Sequence, residues 1–445
     1  MSARTAWRLG CCLLWLRTLC PAQGISVDEG ALFADTSSIA DSVSVSQASG
    51  AVKPGAEAKT VGFSGSMLSL IQGGATRDYF EVPDAARTSL DPAVVGDLAV
   101  DVRMQRGFKA YLDIEAAYLP RLAMRSNDSA TQWRVPEAFL DANIAHRAYF
   151  RVGKQVLQWG RCYFFNPTDL VNVERKSFFR RIGQREGVFG AKAHIPFGTA
   201  WNLYGFVDAQ GVGRPDSVAG AFRVERLWGR TEASAMIWDR GGGTPVYGAD
   251  MSTRMLGLDV NGEAALYPEF IRRTLSFAGG IPSLHSDHEN WSPRASLGLG
   301  RSFRVSGIQD RLMTVAEYYY NGTGTADRRM GLAPLLPLLA GSMSAGAATD
   351  ALAASGFYEP NSYSTQYAAF FATFSRFIRS DLTLTFNAIG NLDQACGLIS
   401  AGIAYQDLND FGLSLAVNGF VGPEDTEYTL SGEAIQVRVI AEAAF

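Results

Sequence analysis

The chain has 445 residues, of which 47% are hydrophobic, 11% aromatic and 19% charged, the last below the roughly 25% of ordinary soluble domains. With 40 Lys and Arg against 44 Asp and Glu, the formal net charge is -4, so no basic surface marks it as a nucleic-acid binder. No apolar run reaches the roughly 20 residues of a spanning helix. GxSxG, HExxH and phosphate-cradling glycine loops are absent, so neither hydrolase nor nucleotide chemistry is signalled, no cofactor is implied and no enzyme is expected.

The first residues read as an export signal. Arg4 and Arg8 precede the apolar Leu9 to Leu16, and Cys20-Pro21-Ala22 supplies a small-residue cleavage site, giving a signal peptide over 1–23. Residues 24–60 are polar, Ser- and Ala-rich, and read as a flexible segment. Cys162 and Cys396 remain after the signal, and in an oxidising compartment they pair or stay free. An exported, strand-rich chain without a helical span is a secreted β-protein or an outer-membrane barrel.

From residue 61 onward the pattern is alternation. Val61 to Leu70 is a first strand blurred by Gly62 and Gly65. Then Leu98, Val100, Val102 and Met104 alternate with Asp97, Asp101 and Arg103. After Arg106-Gly107, Phe108, Ala110, Leu112 and Ile114 alternate with Lys109, Tyr111, Asp113 and Glu115. Each arm has about the 9–11 residues of a tilted membrane strand, longer than the five or six of soluble sheets. Further arms follow at 138–144, 148–156, 189–195, 201–208, 219–227, 231–237 and 256–261, then at 272–280, 294–303 and 311–319. Arg240 to Thr253, with three consecutive glycines, reads as a long loop. The last third adds 364–376, 382–390, 398–406 and 411–420.

The final strand is the cleanest. Ile435, Val437, Val439, Ala441, Ala443 and Phe445 share one face, and Gln436, Arg438 and Glu442 the other. A chain ending on an aromatic looks like the closing strand of outer-membrane barrels, whose terminal Phe would be recognised by the barrel assembly machinery. The fold expected is all-β: a transmembrane antiparallel barrel over 61–445, with about 14–18 strands because such barrels take even numbers. So many long amphipathic strands would otherwise need several stacked sandwiches, whereas one barrel removes every edge. The Leu/Ala-rich, Pro-interrupted stretch 331–356 reads as a helical loop or plug, or as a plain surface loop.

One run carries the most distinctive wording: Phe150-Arg-Val-Gly-Lys-Gln-Val-Leu-Gln-Trp-Gly160, then Phe164-Phe-Asn-Pro-Thr-Asp169. Alternation sends Arg151 into water and Phe150 and Val152 toward lipid, while Asn166-Pro167-Thr168-Asp169 is turn chemistry. The Gly-Lys-Gln…Trp-Gly…Asn-Pro-Thr-Asp arrangement resembles a family of bacterial outer-membrane barrels of unassigned function, loosely similar to alginate-export porins. Leu256 to Gly262 and Glu317 to Gly322 look like later segments of the same family. The resemblance implies a barrel and says little about cargo.

Arg175, Lys176, Arg180, Arg181 and Arg185 form a basic loop that, at or inside a pore, would draw anions; a solvated surface loop accounts for it equally. With Arg151, Asp113 and Glu115 these are the candidate pore residues. His285-Ser-Asp287-His288 has metal-ligand chemistry but reads as ordinary loop polarity, and no metal is expected. The function expected is a porin-like channel for small polar or anionic solutes, with outer-membrane lipid as its surroundings and no nucleic-acid partner. A fatty-acid-type transporter lined by 331–356 and Phe178-Phe179, and a surface adhesin or structural barrel, are the competing readings.

Overall fold

The computed structural model describes residues 60–76, 88–104, 107–120, 130–145, 147–170, 187–210, 218–240, 244–278, 281–332, 361–406, 410–430 and 432–445, with the backbone alone at 240, 269–278 and 281–290. The strands are β1 (Thr60–Thr76), β2 (Thr88–Met104), β3 (Phe108–Tyr118), β4 (Thr131–Arg134), β5 (Ala138–Ile144), β6 (Ala148–Gln155) and β7 (Val188–Phe197). Next come β8 (Trp201–Asp208), β9 (Ala219–Trp228), β10 (Thr231–Arg240), β11 (Val246–Met255), β12 (Leu258–Ala278) and β13 (Ile281–Val305). The last are β14 (Ile308–Asn321), β15 (Gln366–Ser375), β16 (Leu382–Asn391), β17 (Cys396–Gln406), β18 (Phe411–Val421) and β19 (Glu433–Ala444).

Apart from β4 and β5, strands adjacent in the chain pair antiparallel, and β1 pairs with both β2 and β19, so the sheet closes. Both β4 and β5 pair with β3, one above the other, as two halves of one interrupted stave. Counting them once, the 19 strands of the sheet make an 18-stave antiparallel barrel, at the upper end of the expected range. Closure satisfies every ladder and leaves no edge. The last residue completes the seam: the N–H of Phe445 donates to the Gly65 carbonyl at 2.9 Å, and the Gly65 N–H returns the bond at 3.0 Å.

Alternation sorts the side chains as the sequence required. Leu98, Leu112, Leu140, Val152, Phe222, Leu297, Leu415, Val437 and Val439 are exposed on the outer surface, an apolar belt far larger than a soluble monomer presents. Their alternates, among them Asp101, Asp113, Asp141, Lys192, Glu225 and Glu317, line the interior. The belt has aromatic rims at both ends. Tyr118, Trp133, Tyr247, Trp291, Tyr318 and Tyr320 lie exposed near the end that bears the long connections. At the other end Phe108, Phe197, Trp201, Trp228, Phe411 and Phe445 are exposed beside short turns. Two such girdles flanking an apolar belt are the signature of a bilayer-spanning barrel.

The short turns explain themselves. Leu256-Gly257 and Ser306-Gly307 each hold both central residues at positive φ (54° and 75°, 51° and 80°), the mirror-image turn whose twist matches the flanking strands. Leu256, expected inside a strand, is therefore a turn residue. Two other expectations are corrected. Residues 246–253, read as part of a long loop, belong to β11, and 272–278 belong to the upper half of β12 rather than to a strand of their own. The signal segment and nearly all of 331–356 lie outside the described residues, as does the polar 24–60 segment apart from Thr60, where β1 begins.

Candidate pore and constriction

The stretch with the distinctive wording leaves β6 at the long-loop end and folds into the barrel. Gln155 is fully buried and donates to the Gly190 carbonyl at 3.3 Å, and the Val156 N–H bonds Glu137 at 2.7 Å. Leu157, Trp159 and Leu170 then enter a cluster formed by Tyr204, Phe206, Ala221, Met236, Val246 and Ala265, the inward residues of β8 to β12. Further on, Phe164 and Phe165 pack among Tyr319, Tyr367, Phe371 and Phe420 from β14, β15 and β18. The Phe165 ring stacks on Tyr319 at 4.9 Å. Two apolar cores thus fill one side of the lumen.

What fixes this loop is polar. The Arg161 guanidinium reaches three strands, with Nε on Asp250 at 2.6 Å, Nη1 on Glu232 at 2.8 Å and Nη2 on Glu225 at 2.7 Å. Arg223, 1% exposed, adds bonds to Glu225 and Asp250 and donates to the Trp159 carbonyl. Burial works against the charge on Arg161, but its bond to Glu232 and the fields of Asp250, Glu232 and Glu225 outweigh that and raise its pKa. Guanidinium suits such a post because its planar fork meets several carboxylates at once.

Two further carboxylates hold the loop by its backbone. Glu263 accepts the N–H groups of Arg161 and Cys162 on one oxygen, and the N–H and hydroxyl of Thr168 (3.1 and 2.6 Å) on the other. Glu317 accepts the N–H groups of Tyr163, Phe164 (2.9 Å) and Phe165 (3.1 Å). An inward loop has no strand partner for these groups, and buried amides must find acceptors. The Asn166-Pro167-Thr168-Asp169 turn closes the hook, with the Asp169 N–H on the Asn166 carbonyl at 3.1 Å. Both cysteines are free and buried. Burial, reinforced by Glu263 and Glu317, pushes the Cys162 thiol far up, so it stays protonated, and it accepts a bond from Ser296 at 3.2 Å.

The opposite wall is open and charged. Register places Arg103, Lys109, Asp141, Arg151 and Lys192 in one rung across β2, β3, β5, β6 and β7. Arg151 bonds Asp141 at 2.7 and 2.9 Å and lies 3.7 Å over the Phe139 ring. Lys109 and Arg103 reach Asp101 at 3.2 and 3.4 Å. The rungs above are acidic: Asp97 takes the Ser66 hydroxyl, Glu115 holds Arg134 at 2.6 Å, and one oxygen of Asp113 has no hydrogen-bond partner. Exposure is graded between the two sides: the Arg103, Lys109 and Arg134 side chains are 54%, 30% and 28% exposed and Arg151 20%, against 14% for Arg161, 2% for Arg223 and 0% for Asp250, with Glu232 at 22% on the margin of the packed side.

Of the residues singled out from sequence, Arg151, Asp113 and Glu115 face this lumen. Arg175, Lys176, Arg180, Arg181 and Arg185 lie outside the described residues. His194 points inward and stacks on Tyr204 at 4.5 Å, its Nε2 3.0 Å from Asn202. His285 and His288 lie on β13, where only the backbone is described. Sequence reasoning missed Arg161, Glu225, Glu232, Asp250 and Glu263 as a set, although alternation puts Glu225 and Glu232 on the polar face of their strands. The available signal was a run of acids on neighbouring strands, Glu225, Glu232, Asp250 and Glu263.

No protein-family model matches this chain, and no curated protein sequence matches it. Solved structures do. Over 86% of this chain and 98% of each neighbour, it superposes on OccK2 (OpdF) of Pseudomonas aeruginosa in complex with glucuronate (TM-score 0.51, 8% identity). On the same coverage it superposes on a BenF-like porin from Pseudomonas fluorescens Pf-5 (0.52, 8%) and on Pseudomonas aeruginosa OccK9 (OpdG) (0.52, 9%). At such identity the likeness is one of fold. The chain has the closed barrel architecture of outer-membrane porins.

Proposed function

We propose that this chain is a bacterial outer-membrane channel through which small polar and anionic solutes diffuse passively. The observation that carries the reading is the division of the interior: a pinned loop fills one side, and exposed charged rungs line the other within a wall that is apolar outside. A solute on that path exchanges its water for side chains without crossing hydrocarbon. The Arg103–Lys109–Arg151–Lys192 rung sets four cations against two acids, Asp141 in the row and Asp101 beside it, which favours an anionic solute or a carboxylate-bearing one. The acidic rungs above it hold polar and hydrated groups. Glucuronate, bound in the complex of one structural neighbour, agrees with that chemistry and supports it by analogy of fold alone. The resemblance of the Gly153 to Asp169 wording to alginate-export porins supports the barrel in this reading and not its cargo.

The apolar clusters do not make a greasy conduit, because both are filled by the loop's own side chains; this favours the polar channel over a fatty-acid route. The basic segment Arg175 to Arg185 and the assembly role of Phe445 belong to the same proposal. The test is purified protein in a planar bilayer under a salt gradient. Discrete conductance steps with a reversal potential on the anion side support the reading; cation preference overturns its anionic half, and absence of any conductance overturns the channel itself.

A further inference from the structure

A second loop caps the interior at the long-loop end. Residues 425–430, between β18 and β19, are all buried. The Asp425 carboxylate accepts the Gly331 and Leu332 N–H groups, each at 2.9 Å, and the Tyr428 hydroxyl donates to Asn361 at 2.6 Å. At the centre is Glu427, 3% exposed. One of its oxygens takes the Asn361 N–H at 2.6 Å. The other meets the Tyr367 hydroxyl at 2.7 Å and the Asn391 amide at 2.9 Å. Its own N–H donates to Gln394 at 2.8 Å. One side chain therefore joins this loop to residues 361–364, to β15 and to the end of β16.

The groups around it carry no compensating charge. Tyr363, Tyr367 and Tyr428 face it, with Cys396 at the start of β17 and the acids Asp327 and Asp425 beyond. Asp393 sits on the same turn as Gln394 and is occupied by Thr365. Arg328 and Arg329 are exposed, and no ion pair joins either to Glu427 among the described residues. Burial pushes Tyr363 and Tyr428 above their usual range, so both stay neutral.

We propose that Glu427 is a proton-controlled latch: protonated, it lets loop 422–430 dock in the barrel mouth, and ionised, it drives that loop out and widens the passage. The proposal builds on the channel reading. A buried carboxylate without a cation is tolerated best in its neutral form. The contact to Tyr367 can be made either way, since the Tyr367 oxygen, which already accepts the Ser364 N–H at 2.6 Å, has a second lone pair for a carboxyl proton. Burial raises Glu427 to about 7, with the bonds from Tyr367 and Asn391 opposing. A docked pKa above that of a solvated carboxyl means docking binds a proton. Docking is therefore strongest at acid pH and weakens as pH rises through neutrality, by roughly tenfold per pH unit between the solvated and docked values.

Hydrogen exchange on the full chain folded in detergent tests this without any need for conduction. Between pH 5.5 and 8.5, the protection of amides 425–430, corrected for intrinsic exchange, falls about 30-fold in the wild type, nearly all of it below pH 7. In Glu427→Gln, which cannot ionise, it stays high at both pH values. Tyr367→Phe removes a donor to the carboxylate and moves the midpoint to higher pH, which keeps the test decisive if Glu427→Gln does not fold. Protection that ignores pH, or a midpoint unmoved by Tyr367→Phe, overturns the latch. Single-channel conductance should rise with the same midpoint; a released loop at constant conductance overturns the gating half and leaves the channel reading intact.

Discussion

Along β8 to β16 many inward side chains are buried against protein, whereas most of those along β2 to β6 are only partly buried and reach water. The first side has Arg161 between three carboxylates and Glu263 and Glu317 each holding at least three donors of the loop backbone. The second has pairs such as Arg151–Asp141 and Lys109–Asp101, shared with solvent. Similar residue types therefore do different work. Buried, a charge must be matched group for group, and its loss is expensive. Half-exposed, a pair contributes little to stability, and its field remains available to a passing ion.

Substitutions that break the contrast should rank accordingly. The largest effect is expected from Arg161→Ala, which strips Glu232 of its ion pair and leaves Glu225 and Asp250 to Arg223 alone. Breaking a buried pair costs about 3–5 kcal/mol, read as a lower midpoint for the heat-induced shift in gel mobility. Arg161→Lys should recover only part, because an ammonium cannot span three strands. Next comes Glu317→Ala. It orphans three buried N–H groups at about 1–3 kcal/mol each and should free the hook, so single-channel conductance rises and becomes noisy. Glu317→Gln retains an acceptor oxygen and should fall between that variant and the wild type.

Arg151→Glu probes the open side. A shift of the reversal potential toward cations is expected, with a smaller loss of stability than Arg161→Ala causes. Should it instead unfold the barrel as Arg161→Ala does, the two walls are not different in kind. The smallest effect belongs to the outer surface: Trp228→Ala should leave conductance and selectivity unchanged and only weaken anchoring at one girdle.

How much of this could be read beforehand follows the physics of each part. β19 and the β2–β3 hairpin were legible because each outward residue meets an apolar medium and each inward one water, which writes a period of two into the sequence. The inward charges Asp101, Asp113, Glu115, Arg151 and Lys192 were legible for the same reason. β11 was not, since Gly248, Ser252 and Thr253 dilute its alternation and three preceding glycines imitate a loop. The hook at 156–170 was invisible for a different reason. Its path is fixed by Glu263 and Glu317, about 100 and 150 residues away, and a loop held by backbone donors needs no side-chain pattern of its own. Only turn chemistry at Asn166 to Asp169 showed through.

The most direct measurement is thiol accessibility from the aqueous phase during single-channel recording. Cys162 and Cys396 are buried and should not respond, which makes the wild type a silent background. A cationic, water-soluble thiol reagent should react rapidly with Asp113→Cys and step the current down, and should leave Met236→Cys, inside the packed side, untouched. A current block at Met236→Cys with none at Asp113→Cys would place the passage through the half described here as filled, and would contradict the account.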